Sequence, residues 1–197
     1  MRCLVVVCPA GVSLGAWIGK LTQLENVTLD GIIADEIPSW IGELTRLENL
    51  MLDGSTHDSA ENHNSVLTHL PISMGDMERL NTITLSNFIR LRELPETLGS
   101  LSSIQKLDLR GCDALVTLPT CLDQWTGMEC LTLNNMPKFK ELPPNMAVNK
   151  NLHTLYIIMC VISKIPESIG ALSMTSWALT NLKQLVMESC LIMDLPP

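Results

Sequence analysis

The sequence predicts an α/β solenoid, with short parallel strands along one side and short helical or irregular segments along the other. Three observations predict it. A Leu/Ile-Pro step recurs at Ile37-Pro38, Leu70-Pro71, Leu94-Pro95, Leu118-Pro119, Leu142-Pro143, Ile165-Pro166 and Leu195-Pro196. Four of the six intervals are 23 or 24 residues and the other two are 33 and 30, the range in which a period marks a stacked array. Inside each interval apolar residues keep one register after the Pro, often with a Gly: Ile41, Gly42, Leu44, Leu47, Leu50 and Leu52 follow Pro38, and Leu98, Gly99, Leu101, Ile104, Leu107 and Leu109 follow Pro95.

Taken in order, each copy supplies one strand and one connecting segment. Two apolar residues separated by one other lie on the same face of a strand. The pairs are Leu4/Val6, Val27/Leu29, Leu50/Leu52, Ile83/Leu85, Leu107/Leu109, Leu131/Leu133, Leu155/Ile157 and Leu185/Met187. These eight strands are always entered from the same side, so they are parallel. Between them, apolar residues at three-residue spacing suit a short helix or a 3₁₀ turn, started by a Pro that needs no partner for a missing N–H. In the first copy Gly15 takes the Pro place, and Trp17-Ile18-Gly19-Lys20-Leu21 matches Trp40-Ile41-Gly42-Glu43-Leu44 closely enough that Trp17 and Trp40 are expected to stack as structural residues. Residues 1–197 read as a single array, with insertions near 54–66 and 171–179.

The repeat resembles that of leucine-rich repeat proteins, and most of all the plant-type form Leu-Pro-x-x-Ile-Gly-x-Leu-x-x-Leu-x-x-Leu-x-Leu-x-x-Cys. Leu94 to Leu101 and Leu107 to Cys112 are its best copy here, and the likeness covers nearly the whole chain. It implies a horseshoe with the parallel sheet on the concave face. The Leu-Pro and Cys-containing style is similar to the repeat region of plant intracellular nucleotide-binding disease-resistance proteins, in which the array senses effectors or host proteins. Two further families share parts of the pattern: freestanding Ras-group scaffolds, and receptor-kinase ectodomains, whose Gly-x-Ile-Pro style resembles Gly31 to Pro38.

Composition narrows the function. A formal charge of −8 argues against a nucleic-acid footprint, which needs a clustered positive field. The basic residues Arg90, Arg92, Lys138 and Lys140 occupy equivalent places in two copies and read as solvated loop charges. The longest aliphatic run near the start, Leu4-Val5-Val6-Val7, is too short for an export signal, and no run approaches the ~20 residues that span a bilayer. Seven Cys form no zinc spacing, and an odd number suits a reducing, cytoplasmic setting. Cys112, Cys160 and Cys190 each fall three residues past the second strand Leu and are expected to be reduced, inward-facing and hydrogen-bonded to turn carbonyls. Neither end reads as a polar cap, so a larger parent chain is expected to cover the outer repeats.

No catalytic constellation, cofactor motif or metal motif is expected. His57, Asp58, Glu61, His63 and His69 have the right chemistry for zinc, but they lie in or beside a polar, aperiodic stretch that reads as a surface loop. The candidate site is instead the outward face of the strands. Its columns contain Asn26, Asn49, Thr82 and Lys106; Thr28, Met51, Thr84, Asp108, Thr132 and Tyr156; and Asp30, Asp53, Arg110, Asn134, Ile158 and Glu188. Trp177, in the second insertion, is a candidate anchor outside the sheet. A face this varied suits a protein or peptide partner, with neither nucleic acid nor membrane.

Overall fold

In the computed structural model the described residues are 2–8, 14–55, 65–144, 146, 149–163 and 182–192. Eight strands form one parallel sheet in chain order: β1 (Cys3–Val7), β2 (Asn26–Asp30), β3 (Asn49–Asp53), β4 (Thr82–Ser86), β5 (Lys106–Arg110), β6 (Cys130–Met136), β7 (Thr154–Ile162) and β8 (Gln184–Glu188). A two-residue β9 (Leu191–Ile192) pairs with the end of β7, extending the pairing onto the rim. Five 3₁₀ segments run opposite the sheet: η1 (Ile18–Lys20), η2 (Ser39–Glu43), η3 (Ile72–Asp76), η4 (Glu96–Ser100) and η5 (Thr120–Gln124). They stack in the same order as the strands. This is the open, curved solenoid that the sequence predicts.

Register is held by the pleat. Leu107 and Leu109 pair across to Ile83 and Leu85 on one side and to Leu131 and Leu133 on the other, and all six are fully buried. A slip by one residue would turn every Leu of a strand to solvent, so the apolar pairs fix the alignment. β3 and β4 keep it across their 33-residue spacing, with Asn49 opposite Thr82. Residues 56–64 and 164–181, where most of the two insertions fall, lie outside the described residues.

The Leu-Pro step works as a corner. Pro38, Pro71, Pro95 and Pro119 precede η2 to η5 with extended ψ between 138 and 152°. Their carbonyls accept the first turn bonds, from the N–H of Ile41, Met74, Leu98 and Leu122. The preceding Ile37, Leu70, Leu94 and Leu118 are buried, held extended by the ring that follows.

Neighbouring turns approach so closely that Gly is needed at one place. A Cβ on Gly42 would fall on the Ser73 carbonyl, and one on Gly75 on the Thr97 carbonyl. Hydroxyls stitch the same turns together: Ser73 Oγ donates to Ser39 O at 2.8 Å and Thr97 Oγ1 to Ile72 O at 2.7 Å.

Among the described residues the core is mostly aliphatic with four large aromatic exceptions, Trp40, Phe88, Trp125 and Phe139, the last three fully buried. Trp125 occupies a Leu place of the repeat, and its indole N–H is satisfied by Leu98 O at 2.7 Å. Asn149 holds the equivalent place one copy later and donates to Leu122 O and Trp125 O. One expectation needs correcting. Trp40 is buried, packed against Gly19 of the preceding turn, whereas Trp17 is 57% exposed, and among the described residues no earlier turn lies against it.

The three inward cysteines behave as their register implies. Cys112 Sγ lies 3.9 Å from Leu85 O, Cys160 Sγ 3.3 Å from Ile158 O, and Cys190 Sγ 3.1 Å from Ile157 O. All seven cysteines are free thiols. Burial pushes the Cys112 thiol up to about 12 and the Cys160 thiol up to about 11, so both stay protonated at neutral pH.

After each strand the chain must turn sharply, and several copies do so through the left-handed region. Asn87 (φ 63°), Gly111 (φ 61°) and Asn135 (φ 52°) suit it; Met159 (φ 54°), at the equivalent place after 24 more residues, does not. Met159 is 54% exposed and loses little by replacement. Met159→Asn is expected to raise stability by about 0.5–1 kcal/mol, since a non-Gly, non-Asn residue in this region costs ~1–2 kcal/mol. A urea titration that shows no gain would mean that Met159 adopts this conformation without strain.

Candidate interaction surface

Three columns of side chains stand on the open face of the sheet, aligned by the strand pairing. The first runs through Cys3, Asn26, Asn49, Thr82, Lys106, Cys130, Thr154 and Gln184. The middle one runs Val5, Thr28, Met51, Thr84, Asp108, Thr132, Tyr156 and Val186. The third contains Val7 and Asp30, then Asp53, Ser86, Arg110, Asn134, Ile158 and Glu188. All sixteen sheet residues singled out from the sequence are therefore brought together on one face. Trp177 lies outside the described residues.

The face is not uniformly open, which the sequence did not foretell. Asp108 and Thr132 are buried although their columns face outward, and so is Ser86. The cause at Asp108 is its own strand. Arg110 Nε and Nη2 reach Oδ1 and Oδ2 at 2.8 and 2.9 Å, and Lys106 Nζ lies 3.5 Å from Oδ2. The two cations close over the carboxylate, leaving its side chain 4% exposed while theirs remain 54% and 43% exposed. Bidentate hydrogen bonds and the charge of Asp108 raise the Arg110 pKa further above its ordinary value. The sequence signal for this cluster was Lys-x-Asp-x-Arg on a strand, where every second side chain shares a face.

Other members are tied as well. Asp53 Oδ1 accepts from the Ser55 N–H at 2.7 Å and from Asn87 Nδ2 at 3.0 Å, so it anchors the turn after β3. Asn49 Nδ2 donates to Asn26 Oδ1 at 2.8 Å, joining two adjacent strands. The asparagine at the left-handed turn position is the partner that sequence reasoning missed, for its side chain folds back over the preceding copy. Toward the β1 edge, Val5 (64%), Val7 (56%) and Met51 (41%) are exposed and apolar.

Basic and acidic residues also pair along the strand-entry rim, where Glu129 Oε2 lies 3.6 Å from His153 Nε2. His69 pairs with Glu93 at 3.6 Å, and the other four members of the candidate zinc cluster lie outside the described residues. Among the described residues no group of His, Cys, Asp or Glu is placed to hold a metal ion, and no helix is long and apolar enough to cross a membrane.

The stacked parallel strands, the Leu-Pro corners and the interdigitated 3₁₀ turns define the leucine-rich repeat fold. A leucine-rich repeat protein from Leptospira interrogans superposes over 100% of this chain and 51% of its own, with TM-score 0.68 and 22% identity. The Arabidopsis receptor kinase HAESA, solved in complex with the peptide hormone IDA and the co-receptor SERK1, matches 90% of this chain and 28% of its own, with TM-score 0.60 and 25% identity.

In sequence the chain resembles the repeat regions of plant disease-resistance proteins. It is 27% identical over 136 residues to the Arabidopsis thaliana disease resistance-like protein DSC1, covering 55% of this chain and 11% of that protein. It is 32% identical over 103 residues to the Arabidopsis disease resistance protein RPS4B, covering 51% of this chain and 8% of that one. The chain thus matches only about a tenth of the length of these relatives. No protein-family model matches it.

Proposed function

We propose that this chain is a protein- or peptide-recognition module without catalysis of its own, and that it serves in the cytoplasm as the partner-sensing repeat region of a plant-type immune receptor. The observation that carries the reading is the open face itself. Eight strands present three aligned columns of mixed polar, charged and apolar side chains, and among the described residues no element packs across them. A rigid sheet loses little conformational entropy when a partner lands on it, which favours recognition. The likeness to disease-resistance proteins supports the immune role. HAESA, a neighbour by fold, was solved with a peptide and a protein bound.

The test is a random dodecapeptide display selection on the purified 197-residue chain, followed by affinity measurements on two sets of variants. Met51→Ala and Tyr156→Ala change the open face. Lys20→Ala, Glu43→Ala and Ile72→Ser change exposed positions on the 3₁₀ side. Selected binders are expected to lose about tenfold in affinity with the first set, the size of one well-buried contact, and to be unaffected by the second. Losses confined to the second set, or a selection that yields no binders, would sink the reading.

A further inference from the structure

We propose that the centre of the open face, at β5, is a subsite for a carboxylate-bearing segment of the partner, gripped by Arg110 and Lys106. The inference rests on the recognition reading above and adds the chemistry of what is recognised. It starts from local charge. β5 carries two cations and one carboxylate on its outward side, an excess of one positive charge in a chain of formal charge −8. The flanking strands offer nothing to neutralise it: their outward residues are Thr82, Thr84 and Ser86 on β4 and Cys130, Thr132 and Asn134 on β6. One strand further out the only carboxylate is Asp53, whose Oδ1 is already engaged by Ser55 and Asn87.

The second observation is that the cations are held. A charge that only keeps a sheet soluble needs no fixed geometry, and Thr serves that purpose at Thr28 and Thr84 in the same column. Here a carboxylate, rather than a neutral hydroxyl as at the buried Ser86 and Thr132, is buried at a desolvation cost, and its two oxygens engage both cations. The guanidinium spends two of its five donors on Asp108, and the Arg110 side chain stays half exposed. The result is a guanidinium held in place by Asp108 with three N–H donors to spare. An Asp or Glu side chain matches such a fork in charge and shape. Mixed neutral neighbours on both sides allow the rest of an extended segment to lie along the columns without like-charge repulsion.

The selection described above decides the matter when its binders are sequenced. Binders from the wild-type chain are expected to be enriched at least about threefold in Asp and Glu over the input library at one or more positions. Their affinity should fall about tenfold in Arg110→Gln and in Lys106→Gln, in keeping with the loss of one partner of a charged pair, and should weaken as salt is raised. Both substituted side chains are about half exposed, and circular dichroism checks that the variants fold. An Arg110→Glu chain should shift the enrichment to Lys and Arg. Binders that depend on Met51 and Tyr156 but show no acidic enrichment, or that keep their affinity in both Gln variants, would overturn the subsite and leave the recognition reading standing. No binders at all would overturn both.

Discussion

Leu109→Ala should lower the stability of the chain by about 3 kcal/mol, within the ~2–5 kcal/mol that buried Leu truncations cost. Leu109 sits in the middle of the array, fully buried, with Leu85 and Leu133 beside it on the neighbouring strands and equally buried. The cost has two parts, the lost transfer of three carbons and the cavity left between rigid strands. That cavity cannot collapse easily, because moving β5 inward would break its hydrogen bonds to both β4 and β6. In a stacked array each repeat touches only its neighbours, so the damage falls on two interfaces at once. Urea unfolding followed by far-UV circular dichroism reads the effect as a lower midpoint. A loss below about 1 kcal/mol would mean that the layer repacks, and the picture of one continuous, tightly filled core would have to be abandoned.

Gly75→Ala should destabilise by about 2 kcal/mol, which is the wrong sign for an ordinary Gly→Ala change. On an open, compatible backbone that substitution stabilises by ~0.4–1 kcal/mol through the unfolded chain. Gly75 lies in η3, and its new methyl would fall on the carbonyl of Thr97 in the next turn, with Thr97 Cβ at 2.8 Å as well. The carbonyl is backbone and the Cβ is bonded directly to the backbone, so neither can swing aside. The two turns would have to separate, stretching the Thr97 Oγ1 bond to Ile72 O. Overpacking of this kind costs ~1–3 kcal/mol. Gly127→Ala is the control, since its methyl would meet nothing nearer than Ile104 O at 3.5 Å. If both variants shift the urea midpoint equally, close turn packing is not why Gly stands at this place.

Most of the fold was legible because a stacked array repeats its own grammar. Most copies restate the Leu-Pro corner and the apolar pair of the strand, often with the Gly of the turn, so one copy's ambiguity is resolved by the next. The three outward columns followed from the same register, and the strand pairing aligns them residue by residue. What escaped were relations between side chains of different copies. Trp17 and Trp40 share closely similar local sequences, but among the described residues only Trp40 has an earlier turn against it. Trp125 and Asn149 stand at Leu places and survive there because each reaches a carbonyl of the preceding copy.

The architecture of this protein can be read from its chain alone: parallel strands, their order, their register, and which residues face outward. Those follow from period and alternation, which are local properties of a chain. How that outward face is divided emerges only once the copies are packed together. Asp108 reads as one more exposed charge until Arg110 and Lys106 fold over it, and Asp53 reads as an open acid until Asn87 reaches back from the next turn. Exposure and pairing depend on rotamers chosen against neighbours, and a rotamer is settled only when the neighbours are in place.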